Sequence, residues 1–525
     1  MSRLSPIWLV LLPALAGLGC SSGEVTEPTI GEGGKVSGSG GTTQGNGGTT
    51  QGNGGTSTGT GGTTSGNGGA ASGGASTAAG GAAAGGAAAG GRANGSGGTT
   101  TTTSGGATTA SGGTTTTGSG GTTSVAGAAG SCSRPVGSCT APTVRISDVT
   151  LGTAAVGYGQ EGDTDVLPMA IAAKPSGGSL IAWYGTDKMV HVGELDCDDK
   201  LVGTPFTLAA VDLQDIYADD NGGVVLLTRN ATNGGTDQCG TGMLCGGTSS
   251  PCRGMYMVRF DNTGKVQWET QVTNLSDSLA GYQNNARFVW WYQHHGRLAF
   301  DGTNLAAYFG VAITVNNGSC VDIHEGDRMQ VVGPTGTLLT GHDSFAVGCS
   351  HAWQSRIVWD ARTNHFAMVC TTDNNCRIAT PNPYRTVATG TCDGTLFGGD
   401  LVLSTTPGYW TAWSQGGTIR LQHFTMTTSA TTPDTSVANA GSSQHPHLVT
   451  YSTSKMLLAW GSGTSMTAQV RDAGANADTV GSTFTIAVND HNYQAFKAYT
   501  DGSVAYPAVG ASAGSMKVAR VMPCQ

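Results

Sequence analysis

Charge is scarce in this chain: 11% of the 525 residues are Asp, Glu, Lys or Arg, the formal net charge is −9, and no run of Lys and Arg exceeds a pair. Neutralising a phosphate backbone takes clustered cations, so nucleic-acid binding is excluded. Helical patterning is missing as well, since no stretch sustains an apolar period of 3.6 residues. Nucleotide and metalloprotease signatures are absent: there is no Gly-x-Gly-x-x-Gly between a strand and a helix, no P-loop and no His-Glu-x-x-His. Gly-x-Ser-x-Gly occurs at Gly55 to Gly59 and at Gly510 to Gly514. A nucleophile elbow must lead from a strand into a helix, and neither copy does, so Ser512 is not read as a nucleophile.

Glycine, by contrast, is abundant and unevenly placed. Of 86 glycines, 39 fall between Ser21 and Gly130, a stretch with no Phe, Trp or Tyr and with only Glu24, Glu27, Glu32, Lys35 and Arg92 charged. Such a tract buries too little apolar surface to offset its ordering entropy. Its glycines come in pairs at variable spacing, which excludes a collagen helix. The repeats Gly40 to Asn46 and Gly47 to Asn53 share one pattern, and the tract reads as a disordered, flexible linker over 21–131. A random coil of this length spans about 55 to 65 Å end to end, enough to hold a domain clear of a membrane.

Ahead of the linker, residues 1–20 read as a signal peptide, with Arg3 as the positive charge and an apolar stretch from Ile7 to Leu18 that is short for a membrane span. Gly17-Leu18-Gly19-Cys20 resembles the lipobox of bacterial lipoproteins, in which the cysteine is lipidated and becomes the mature N-terminus. That resemblance implies a lipid anchor on Cys20. With Ser21 and Ser22 following the cysteine, it also implies an outer-membrane or cell-surface address. Ala14-Leu15-Ala16 offers a competing signal-peptidase site, which would give a secreted protein instead.

Twelve further cysteines lie at 132, 139, 197, 239, 245, 252, 320, 349, 370, 376, 392 and 524. An even number in an exported chain reads as disulfides. Short spacing suggests local loops, Cys132 with Cys139 and Cys370 with Cys376, while Cys524 is expected to staple the chain end to an earlier segment. Cys239, Cys245 and Cys252 lack the Cys-x-x-Cys spacing of a zinc site.

The region 132–525 carries an internal repeat. Ala182-Trp183, Ala412-Trp413 and Ala459-Trp460, with the variants Ala307-Tyr308 and Ala505-Tyr506, each close an apolar strand, and each is preceded by another strand and turn and followed by a third strand. Weaker anchors at Gly223 to Thr228 and Phe366 to Cys370 bring the count to seven, and Asn230 to Gly254 is an insert. Anchors spaced by roughly 43 to 62 residues, apart from one gap near 80 that holds the insert, define units of about four strands that resemble the blades of a β-propeller, so the expectation is an all-β, seven-bladed propeller. A β-sandwich pair with a chance echo of Ala-Trp is the alternative. The resemblance further implies that Val144 to Val156 supplies the outer strand of the last blade, beside Met516 to Met522.

In a propeller, the residues roughly 12 to 15 positions before each anchor border the central channel. Here they are Asp215, His295, His351, Asp400, His445 or His447, and His491, with Asp165 somewhat further back. Two readings stand for them: polar groups that bond neighbouring blades, or a converging metal or acid–base site. Asp322-Ile323-His324-Glu325-Gly326-Asp327-Arg328 is the densest ionisable cluster. Asp322 and His324 share one face of a strand and Gly326 allows a bend, a pattern open to a divalent cation or, through Arg328, to an acidic substrate. Asp322, His324, His351 and His491 are therefore the candidate metal ligands, and a divalent metal is the one cofactor suggested. Trp290, Trp291 and Tyr292 form the richest aromatic run and, with His324 and Asp327, the candidate ligand-binding set.

Two functions follow. One is a surface-anchored propeller that binds an extracellular glycan or peptide, touching the membrane only through its lipid. The other is an extracellular polysaccharide lyase or hydrolase at the channel mouth, with His295, His351, His447, Tyr292 and Arg328 as candidate catalytic groups.

Overall fold

The computed structural model describes residues 132–155, 169–230, 232, 253–273, 296–317, 320–339, 344–345, 355–372, 376–393, 395–427, 435–439, 446–462, 464–491 and 493–525. The leader, Cys20 and the linker lie outside these residues.

The described chain forms seven four-stranded antiparallel sheets and, among the described residues, no α-helix. Strand β1 (Val144–Thr150) comes first in the chain. Blade 1 is then β2 (Met169–Ala173), β3 (Ser179–Tyr184), β4 (Met189–Leu195) and β5 (Leu201–Ala209), and blade 2 is β6 (Asp212–Asp219), β7 (Gly222–Arg229), β8 (Gly254–Asp261) and β9 (Val266–Gln271). Blade 3 is β10 (Arg297–Phe300), β11 (Leu305–Asn317), β12 (Cys320–Val332) and β13 (Ser344–Phe345), and blade 4 is β14 (Ser355–Asp360), β15 (His365–Thr371), β16 (Arg377–Pro381) and β17 (Tyr384–Thr389). Blade 5 is β18 (Leu396–Leu403), β19 (Tyr409–Gln415), β20 (Thr418–Phe424) and β21 (Thr435–Asn439), and blade 6 is β22 (His447–Tyr451), β23 (Lys455–Ser462), β24 (Ser465–Asp472) and β25 (Thr479–Ile486). Blade 7 joins β26 (Lys497–Ala498), β27 (Val504–Val509) and β28 (Ser515–Val521) to β1.

This is a seven-bladed β-propeller. Its ring closes as the sequence pattern implies, with Val144 opposite Val521 and Thr150 opposite Ser515. Each second strand lies between two neighbouring blades, so both of its faces are covered and it reads as a continuous apolar run; all of Ser179–Tyr184 is buried. Fourth strands lie at the rim, and Thr479–Ile486 is mostly exposed or half-buried.

Seven apolar clusters fill the seven blade interfaces. Side-chain alternation along a strand divides the anchors between them. Ala182, Ala412, Ala459 and Ala505 face the following blade, while Trp183, Trp413, Trp460 and Tyr506 face the preceding one. Ala307-Tyr308 runs opposite, with Ala307 toward blade 2 and Tyr308 toward blade 4. A one-residue offset exchanges the faces of a strand, so the anchor in blade 3 is out of frame with the rest.

The short-loop disulfides expected from spacing do not form. Cys132 bonds Cys197, Cys139 bonds Cys524 and Cys376 bonds Cys392. For Cys132 and Cys139 local spacing fails because the ring brings chain ends and blade 1 together, whereas Cys376–Cys392 is local and closes the β16–β17 hairpin of blade 4. Cys524 does staple the C-terminus to an early segment, across 385 residues. Cys139→Ser is expected to destabilise the fold by about 4 to 5 kcal/mol, the upper range for a long closed loop. Urea unfolding checks this, and a loss below about 1 kcal/mol would show that strand pairing alone closes the ring.

Candidate functional site

The inner strands begin with a repeated motif of a basic residue followed by an apolar one: Arg297-Leu298, Arg356-Ile357, His447-Leu448 and Lys497-Ala498. Blades 2 and 5 place a carboxylate there instead. Asp215 and Asp400 each lie where the strand pairing slips, between Leu213 and Asp215 and between Gly398 and Leu401. Those bulges re-aim the side chains, and each carboxylate caps the inner strand of the following blade. Asp215 Oδ2 accepts from Leu298 N at 2.9 Å, and Asp400 Oδ2 from Leu448 N at 3.4 Å. Close approach in blade 5 requires Gly399, because a Cβ there would collide with the Pro446 carbonyl oxygen.

The same carboxylates collect the cations. Lys497 Nζ donates to both oxygens of Asp215 at 2.8 and 2.9 Å. Arg356 Nε donates to Asp400, whose other oxygen lies 3.3 Å from His447 Nδ1. His447 Nε2 is 2.6 Å from Asp490 Oδ1. Arg297 donates through Nη1 to the carbonyls of Gln214 and Gly296, at 3.3 and 2.9 Å, and through Nη2 to that of Tyr493. Asp490, Tyr493 and Gln494 belong to the segment joining blades 6 and 7. Its contacts with Arg297 and with the Met169 carbonyl, through Gln494 Nε2 at 3.3 Å, carry it over one mouth of the channel.

Electrostatics follows from this packing. Burial raises the Asp400 pKa, but the charge of Arg356 and the hydrogen bond and charge of His447 outweigh it and hold the carboxyl well below its usual range. Burial lowers the His447 pKa, yet Asp490 and Asp400 on its two ring nitrogens raise it to about 9, which makes it an imidazolium. Burial, helped by Arg356, pushes Arg297 down to about 10 against the pull of Asp215 and Asp400. The knot thus sets Arg297, Arg356, His447 and Lys497 against Asp215, Asp400 and Asp490.

Beside the knot lies a cavity of about 230 Å³. Arg297, Arg356, Asp400 and Lys497 form its polar lining, with Leu298, Val358, Val402 and Leu448 among its apolar walls. Thr450 and Ala498, both exposed, mark its open side. Among the described residues, Arg297 Nε has no hydrogen-bond partner.

His447 therefore lies at the axis, as its place before the anchor implies, with both ring nitrogens engaged by carboxylates. His491 lies on the segment crossing the mouth rather than in an inner strand. Its Nδ1 accepts from Tyr493 N at 3.2 Å, and burial, with the charges of His447 and Arg297, lowers its pKa to about 4. Asp327 and Arg328 are fully buried in the third strand of blade 3, where Asp327 accepts the Tyr308 hydroxyl. Neither presents surface to an outside ligand, because that strand packs between sheets. Asp322 and His324 pair opposite Val315 and Ile313, and the ladder passes Gly326 without a register shift. The side chains of Asp322 and His324 lie outside the described residues, as do Asp165, Trp290, Trp291, Tyr292, His295, His351 and His445. Ser512 is in the exposed turn between β27 and β28. Among the described residues, no group of three or more His, Cys, Asp or Glu is placed to hold a metal ion.

Arg297, Arg356, Lys497 and Asp490 are the axial groups that the sequence reading missed. Aligning the blades on the inner-strand basic–apolar pair, instead of counting back from the second-strand anchors, would have found the three cations.

The chain matches no family model, and no curated protein is similar to it in sequence. Solved structures with a similar fold include virginiamycin B lyase from Staphylococcus aureus, at 11% identity over 72% of this chain and 99% of that one, with a TM-score of 0.41. The WD40 β-propeller domain of Doa1 is 11% identical over 70% of this chain and 96% of that one, at TM-score 0.39, and the Dos1 propeller 12% identical over 72% and 84%, at 0.40. At these identities the likeness concerns the fold alone.

Proposed function

We propose that this is a surface-anchored lipoprotein, held through Cys20 and the 21–131 linker, whose propeller binds a carboxylate-bearing extracellular glycan or peptide in the axial cavity. The supporting observation is the cavity lining, in which Arg297, Arg356 and Lys497 stand against the single carboxylate Asp400 over apolar walls. A low-dielectric wall strengthens the attraction of such a lining for an acidic group. The cations are held by ion pairs and carbonyls on rigid strands, an arrangement suited to recognition.

Titrating the full chain with an oligogalacturonide and with an acidic peptide tests this. Saturable, salt-sensitive binding is expected, weakened at least about tenfold by Thr450→Trp, which narrows the exposed side of the cavity without touching the charge knot. Binding that ignores Thr450→Trp would overturn the reading. Accumulation of unsaturated, ultraviolet-absorbing product would replace it with a lyase.

A further inference from the structure

A second pocket lies between the segment that precedes β1 and the turns that follow the inner strands of blades 1 and 7. Cys132 is tied to Cys197, and Gly137 pairs with Cys524, so this N-terminal strap is fixed at both ends. Under it lies a pocket of about 250 Å³ lined by Cys132, Arg134, Lys174, Gly177, Tyr499, Thr500 and Asp501. The Arg134 side chain is only 4% exposed. Its Nη1 donates to Asp501, and its guanidinium lies over the Tyr499 ring, 5.5 Å from the centroid. Among the described residues its Nε and Nη2 have no hydrogen-bond partner.

Two buried, unused charged donors are costly to leave unmade. Nε and Nη2 form one edge of the guanidinium, the planar fork that matches two oxygens of a carboxylate, sulfate or phosphate. Asp501 does not meet this need, because its Oδ2 takes Nη1 while its Oδ1 accepts from Ser503 N and Oγ at 2.9 and 2.6 Å. Lys174, 6% exposed and paired with Glu194 at 2.7 Å, adds a second buried cation to the lining. We propose that the pocket under the N-terminal strap is an oxyanion site, in which the Nε–Nη2 edge of Arg134 receives two oxygens of the ligand and Lys174 adds positive charge. The volume admits a small anion or one sugar-acid residue. This site stands apart from the axial cavity and does not depend on the function proposed for it.

The test is an NMR titration of the full chain with ¹⁵N-labelled arginine, following the Nε–Hε resonance that Arg134→Lys removes. Sulfate, phosphate and glucuronate are added at constant ionic strength. The Arg134 resonance is expected to shift saturably with a dissociation constant of about 1 mM or tighter for at least one of them. Equal response to sulfate and phosphate assigns a free inorganic anion, whereas glucuronate binding about tenfold tighter assigns a sugar acid. A resonance that no anion moves, or that drifts linearly without saturation, overturns the proposal. The titration is read on the wild-type protein, and Arg134→Lys, which keeps the positive charge, serves only to assign the resonance.

Discussion

Arg520→Met lowers the stability of the propeller by about 3 kcal/mol, the cost of stripping a buried carboxylate of its buried partner while the half-exposed Arg145 remains. Arg520 and Asp199 are both fully buried, joined by Nη2 to Oδ1 at 2.5 Å and by Nε to both carboxylate oxygens at 3.2 and 3.1 Å. Asp199 belongs to the β4–β5 turn of blade 1, Arg520 to β28 of blade 7. The same carboxylate accepts from Arg145 Nη2 at 2.7 Å and Ser147 Oγ at 3.4 Å on β1. One aspartate therefore ties the first blade to both strands whose pairing closes the ring. Burial acts to raise its pKa, and the hydrogen bonds and charges of Arg520 and Arg145 overcome that and lower it. The stability it contributes is present above the ordinary carboxylate pKa and is lost as pH falls through the lowered one. Urea unfolding of Arg520→Met, Asp199→Asn and the double variant measures the clamp. The double variant is expected to lose less than the two single losses combined, since it buries no uncompensated charge. Full additivity would show that the two groups do not act as a pair.

His447→Gln is the second large effect, about 3 to 5 kcal/mol, because it leaves Asp400 and Asp490 facing a neutral amide in the buried knot. Its pH signature separates it from a packing defect. With a folded pKa of about 9, above the ordinary histidine value, His447 contributes stability that is fully present below about pH 6.5 and is lost as pH rises through 9. That contribution is about 3 kcal/mol at its greatest. His491 works on the other limb: its folded pKa of about 4 means that the folded chain resists its protonation, so stability falls as pH drops from about 6.5 to 4. Wild-type stability should peak near pH 6.5, and His447→Gln should flatten the alkaline side alone. A variant that keeps the wild-type alkaline slope would place the titration elsewhere.

The blades were legible because the second strand of a propeller is covered on both faces, which writes a compact apolar run such as Ser179–Tyr184 into the sequence at each repeat. Ring closure by Val144–Thr150 was legible for a similar reason, as an extra strand without a blade of its own. The axial site was only half legible. Asp215, Asp400 and His447 stood out as polar residues before an anchor, but what they bond depends on contacts between blades far apart in sequence, such as Asp215 with Lys497. Disulfide pairing failed for that reason too: Cys139 finds Cys524 through the circular closure, which no local spacing encodes. Arg328 was read as the cation through which an ionisable cluster could meet an acidic substrate, and its burial arises from the packing of the third strand of blade 3 between sheets.

Central to the axial site is His447, held as an imidazolium at neutral pH between Asp400 and Asp490, next to the cavity that Arg297, Arg356, Asp400 and Lys497 line. Long-range ¹H–¹⁵N NMR of the histidine rings, with His447 assigned by its loss in His447→Gln, measures this directly across pH 5 to 10. The prediction is that both His447 nitrogens stay protonated through neutral pH and titrate only near pH 9. A midpoint near the ordinary histidine value of about 6.5 would contradict the account and return the axis to the metal or acid–base reading.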